Sequence, residues 1–221
     1  AASDVYKRQV LQIDAGGTTG TLGTGAVTNN ATLRFNRSDD VTVANAISGT
    51  GALVKDAGNT LTLTSNNTYS GNTTINAGTL VLQHDAPDPT SKTFAGTGAL
   101  RVESAGTSFT SAFSTTVWNF GNSLTGLTLG KSGNTAAVTV GSNTTVNGPI
   151  SIFGGAVTLS NSLTTTNAST GDVSITTTGL SEGGNISLAD NRSLTVTQSG
   201  DSSYSGAIGG TNAAFTKAGA G

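Results

Sequence analysis

Apolar residues recur along this chain in pairs separated by one polar position. The pairs are Val41/Val43, Leu61/Leu63, Leu80/Leu82 and Leu100/Val102, an even spacing of about 19–20 residues. The next pair in phase is Val138/Val140, two such steps further on, and Val157/Leu159 follows one step later. The skipped step falls near Val117 to Phe120, where the pattern blurs, and Val173/Ile175 and Leu194/Val196 keep the form with looser spacing. In a strand, residues i and i+2 share a face, and a short strand cannot bury that face alone. A chain that returns to one place at such even intervals stacks equivalent pairs into a continuous ladder. The pattern predicts an all-β parallel β-helix, a solenoid of about 19–20 residues per coil whose turns touch only their neighbours. Ile75 is counted in the same structural ladder. Ile150/Ile152 falls between two ladder pairs, so each coil holds two or three strands. A β-propeller repeats at about 40–45 residues in antiparallel blades, and a Greek-key sandwich does not keep such regular spacing.

Between the pairs lie Ser65-Asn66-Asn67, Asn76-Ala77-Gly78 and Gly141-Ser142-Asn143, corner residues that tolerate positive φ. Stacked Asn side chains at such corners are expected to hydrogen-bond along the coil axis. Composition agrees: of 221 residues 31 are Gly and only 10% are charged, and strand-forming Thr and Val are plentiful. A net charge of -2 offers no electrostatic footprint for nucleic acid. No apolar run approaches the roughly 18 residues of a membrane-spanning helix. With no cysteine, disulfides, thiolate chemistry and Cys-based metal sites are excluded together.

Residues 1–9 differ from the rest of the chain. Asp4-Val5-Tyr6-Lys7-Arg8-Gln9 holds two of the ten basic residues and resembles the translation of a sequencing-adaptor end. It reads as an assembly scar, the alternative being a genuine polar segment. With no Met anywhere, residues 10–221 read as one continuous β-helix fragment of metagenomic type, cut at both ends. A loop insertion is expected near 83–92.

The stretch from Ile47 to Leu82 resembles the passenger-associated β-strand repeat of bacterial autotransporters. The matching residues are Thr60-Leu61-Thr62-Leu63, Asn67-Thr68-Tyr69, Gly71, Thr74, Ile75, Gly78, Thr79 and Leu80, following a lysine turn at Lys55. They cover about a sixth of the chain. Gly206 to Thr211 parallels Asn45 to Thr50, as if a second copy began there, with Lys217 one place out of step with Lys55. The resemblance implies a right-handed β-helix, exported through the outer membrane by a translocator barrel that lies outside this fragment. It also implies a secreted, cell-surface location.

Candidate chemistry is sparse. Thr125 to Ser132 approaches a phosphate-binding loop but has Thr125 where the first Gly belongs, and it reads as a strand-to-turn junction. His84, the single histidine, stands before Asp85 in a loop with two of the three prolines. It reads as an exposed loop histidine, with no nucleophile-elbow motif to complete a triad. Arg34, Arg37, Asp39 and Asp40 form the densest charge cluster after the first nine residues. A glycoside-cleaving site needs two carboxyls about 5–10 Å apart, and a solvated turn explains the cluster equally well. Asp85 and Asp88 lack the Gly-Gly-x-Gly-x-Asp calcium repeat. Trp118 and Phe120 read as rings packed in the wide interior of a coil or under a loop, and stand as weak surface-binding candidates for a sugar. No catalytic, cofactor-binding or metal-ligating residue is expected. The function expected is a structural stalk in an adhesin-like surface protein, with a carbohydrate or protein receptor as a further partner. The alternatives are a polysaccharide-active enzyme domain on the same fold and a two-partner-secreted filamentous adhesin.

Overall fold

A computed structural model describes residues 9–85 and 90–221. Among them there is no helix, and every strand pairing is parallel. The chain winds through about ten turns of a β-solenoid. Each turn visits three faces in the same order, so the cross-section is a triangle.

The longest face is one unbroken sheet of nine strands. Val41–Val43, Thr60–Leu63, Thr79–Gln83, Ala99–Glu103, Gly126–Leu129, Ile150–Phe153, Val173–Thr177, Ser193–Gln198 and Ala214–Ala218 lie side by side in that order. Val41, Leu61, Leu80, Leu100, Leu127, Ile150, Val173, Leu194 and Phe215 occupy one register line. The second face begins with Val27–Thr28 and Ile47–Ser48 and continues with Phe113–Ser114, Val138–Val140, Ala156–Leu159 and Gly179–Ser181. The third holds Val10–Ile13, Thr32–Phe35, Ala52–Lys55, Thr73–Ile75, Lys92–Ala95 and Trp118–Phe120. It continues past a break with Thr144–Val146, Leu163–Thr165, Ile186–Ser187 and Ile208–Gly209, the strands on either side of the break being in contact.

The i/i+2 pairs are the inward residues of these strands. Burial alternates along them, as in Thr60–Leu63, where Leu61 and Leu63 are buried. Removing each such side chain from water is worth about 1.5–3 kcal/mol, and each stacks on its equivalent in the coils before and after. The expected ladder is corrected at several of its members. Leu100 and Val102 do not lead on to Val138 and Val140. Val102 is a buried long-face residue, set between Leu82 in the coil before and Leu129 in the coil after. Val138 and Val140 stand on the second face, where Val138 pairs with Phe113. Val157 and Leu159 lie beside them on that face, and Val157 pairs onward with Leu180. Ile75 belongs to the third face, opposite Lys55. The apparent second repeat is likewise turned by one face: Ile47 lies on the second and Ile208 on the third.

Coil length explains the slip. The register line of the long face advances evenly through positions 41, 61, 80 and 100. It then takes longer strides to 127, 150, 173, 194 and 215. Residues 86–89 of the expected loop insertion lie outside the described residues, and the register from Leu80 to Leu100 across it keeps the earlier stride. The longest coil is the next one, from Leu100 to Leu127. Its wider interior is filled by rings: Phe109 and Phe113 stack at 4.9 Å, Phe113 meets Trp118 edge-on at 5.3 Å, and Phe94 packs on both Trp118 and Phe120. Offset and edge-on pairs of this kind add about 0.5–1.5 kcal/mol each beyond burial.

Candidate functional site

The segment with the densest motif, Leu53 to Leu82, is one and a half coils. Leu53 and Lys55 point inward from the third face, and Leu61 and Leu63 from the long face. Asn67 and Tyr69 make the second-face corner. The Ile47 amide donates to Asn67 Oδ1 (2.9 Å), and the buried Tyr69 hydroxyl shares a hydrogen bond with Thr73 Oγ1 (2.7 Å). Gly78 has φ +66°, and a Cβ there would stand 2.2 Å from the Asn59 carbonyl oxygen of the coil before. Only glycine fits both demands.

Lys55 is 1% exposed. It follows the alternation of its strand, so its stem lies in the core. Its Nζ donates to Ala57 O (2.5 Å) and Asn59 Oδ1 (3.1 Å) in its own turn, and to Ala77 O (3.0 Å) in the next. Asn59 Nδ2 in turn donates to the Asp39 carbonyl of the coil before. One lysine and one asparagine thus tie the same corner of three successive coils. Burial pushes the lysine pKa down from 10.5 to about 8, against the pull of Asp40 and Asp56. A buried amine whose donors all meet oxygen acceptors fixes a turn. In the sequence this lysine reads only as part of a turn. Its i+2 spacing from Leu53 was the available sign that it points inward.

The outer charges do similar work. Arg34 pairs with Asp56 one coil on, and Asn76 Nδ2 donates to the same carboxylate (2.7 Å) from the coil after that. The Arg34 bond holds the Asp56 pKa below the usual carboxylate range. Arg37 donates to Asp39 (2.6 Å) and to the carbonyls of Gly20 and Thr18, and its hydrogen bond lowers the Asp39 pKa. Asp40 accepts from the Thr60 amide (2.7 Å). The side chains of Asp40 and Asp56, and the Asp39 carbonyl, each bind a neighbouring coil. Corner asparagines bind neighbouring backbone far more than one another: Asn161 Nδ2 reaches Gly141 O (2.9 Å), while Asn212 and Asn191 meet side chain to side chain at 3.3 Å.

The remaining sequence candidates fall elsewhere. Trp118 and Phe120 are 2% and 4% exposed, inside the ring cluster of the widest coil. The surface-binding reading of both is corrected, since no sugar reaches rings enclosed in this way. His84 is not an exposed loop residue either, being 6% exposed. It continues the inward set of Leu80 and Leu82 one step past the strand, and its amide donates to Glu103 O (2.9 Å). Asp85 turns the other way and accepts from the Ala105 amide (3.2 Å) in the following coil. Gly126–Leu129 is a strand, and Lys131 beyond it donates to Ser104 O (2.8 Å). Among the described residues no three His, Cys, Asp or Glu side chains are grouped to hold a metal ion. Asp88 lies outside the described residues.

Residues 53–82, the segment built around Lys55 and Gly78, match the family model of the passenger-associated transport repeat. That segment resembles one passenger-associated transport repeat. The passenger repeat thus has its lysine inside the coil, its glycine at a backbone crossing and its T-L-T-L on the long face. The chain is also 40% identical, over 67 residues, to the uncharacterized protein YuaQ of Escherichia coli strain K12. That similarity covers 30% of this chain and 5% of YuaQ, so the chain spans a small part of a much longer relative. No solved structure matches the chain at a significant level.

Proposed function

We propose that this chain is a shaft segment of a secreted autotransporter passenger, displayed on the surface of a bacterial cell and adhesin-like in role. The observation that carries this reading is the passenger repeat at 53–82 set within a solenoid whose nine-stranded face continues on either side of it. Its polar side chains are largely spent on bonds to the next coil, which suits a rigid spacer better than a reactive centre. The partner in export is an outer-membrane translocator barrel, and a surface or host carbohydrate or protein is the partner in adhesion.

Coil-by-coil folding also offers a mechanism for export. Each coil entering the outside medium adds to a finished template without distant contacts. Placing the chain between a signal peptide and a translocator barrel tests this. The intact chain should become accessible to added protease on whole cells. Aspartate at Leu61, Leu63, Leu80 and Leu82 together should sharply reduce that accessible pool. Undiminished display of the quadruple variant would sink the mechanism.

A further inference from the structure

The corner between the long and second faces is uneven. Residues 130–137 make a long turn there, the next two coils turn with only 154–155 and then 178, and residues 199–203 form a longer turn again. Two short corners therefore lie between two projecting ones, three strand spacings or about 14 Å apart. The result is an open trough of about 340 Å³, at the small end of the ~300–1,000 Å³ that ligand sites occupy.

The trough is built, not incidental. Its floor is bare because a Cβ at Gly155 would stand 2.1 Å from Thr135 O. Its first wall is pinned by Asn134, whose Nδ2 donates to Phe153 O (2.8 Å) and whose Oδ1 accepts from Ser108 Oγ (2.8 Å). Phe153 ends its strand in an outward position and lines the trough half-buried. Every other phenylalanine is buried except Phe215 on the terminal strand. The exposed hydroxyl residues Thr135, Thr176, Thr178 and Ser199 surround it. Thr178 Oγ1 donates to Gly155 O, whereas among the described residues Thr176 and Ser199 spend no hydroxyl on a protein hydrogen bond. No ionisable side chain lines the trough.

We infer that this trough binds a neutral carbohydrate, with a sugar ring packed on Phe153 and its hydroxyls bonded to Thr176 and Ser199. An aromatic face accepts the C–H side of a pyranose, and uncharged hydroxyls supply both donors and acceptors. With no cation present, the trough offers nothing to pair with a carboxylate or sulfate, so acidic glycans are disfavoured. The inference rests on the adhesin-like reading above and names its ligand class.

The test uses the purified chain and saturation-transfer NMR with lactose, N-acetyllactosamine, cellobiose, chitobiose and maltotriose, beside sialylated and sulfated lactose. At least one neutral sugar should bind, with transfer from the Phe153 ring. Phe153→Ala should weaken that binding about tenfold, while Phe153→Trp keeps it and guards against a folding defect in the alanine variant. Thr176→Val should weaken it by a smaller factor. The inference is overturned if no neutral sugar binds at about 10 mM, if Phe153→Ala leaves binding unchanged, or if the acidic sugars bind as well. Display on cells is measured separately, so a chain that is displayed but binds no sugar refutes this inference alone.

Discussion

Lys55 shows how much one side chain can hold. Its amine serves three oxygens in two turns from a buried position. Its pKa is about 8 in the folded chain and 10.5 in the unfolded one. Between those values the unfolded chain binds the extra proton, so the contribution of this group to stability rises with pH. Below about pH 8 the lysine is charged in both states and the burial penalty stands in full. The gain from pH 8 to 10.5 is on the order of 3 kcal/mol at most. Denaturant midpoints of the wild type and Lys55→Met, measured at pH 7.5 and 10.5, should differ in slope: the variant lacks the rise. The variant should also be less stable at both values, since three oxygens lose their donor. Equal pH dependence in the two proteins would contradict the burial of the amine. The sequence showed a lysine beside a turn, but only the strand register reveals that it points inward.

At the scale of the strand and its corners, local pattern was readable and its placement was not. The i/i+2 pairs mark strands because alternation is a property of the strand itself. Which face a strand occupies depends on the length of every coil before it. Val138 lies in phase with Leu100 by counting, yet the long coil from Leu100 to Leu127 moves it to another face. Ring-bearing residues were the sign of that wider coil: Phe109, Phe113, Trp118 and Phe120 crowd into it because its interior needs more volume. Corners follow a stricter rule. Gly78→Ala forces a Cβ against the Asn59 carbonyl at a positive φ, and it should cost about 1–3 kcal/mol or more. Thermal melting followed by circular dichroism measures this, and a melting temperature within error of the wild type would refute the crossing. Phe153 was legible as a residue but not as a site, because the trough arises from turn lengths in four separate coils.

Across the whole molecule, contacts join each coil to its neighbours, so damage should stay local. Ile175→Ala opens a cavity between Ile152 and Val196. Large-to-small changes of this kind cost about 2–5 kcal/mol. Hydrogen exchange should show lost protection across the coils from about residue 150 to 198 and little change in strands Val41–Val43 to Thr79–Gln83. Uniform loss along the chain would mean that the shaft unfolds as a single unit. The parallel ladders have one more consequence. Their hydrogen bonds run along the shaft, so tension applied between its ends loads them one row at a time, as a zipper is loaded. A coil adds only about 4.8 Å to the stack, yet its roughly 21 residues reach about 70 Å when drawn straight. A shaft under shear would release chain coil by coil, yielding as a shock absorber does and rewinding when the load falls.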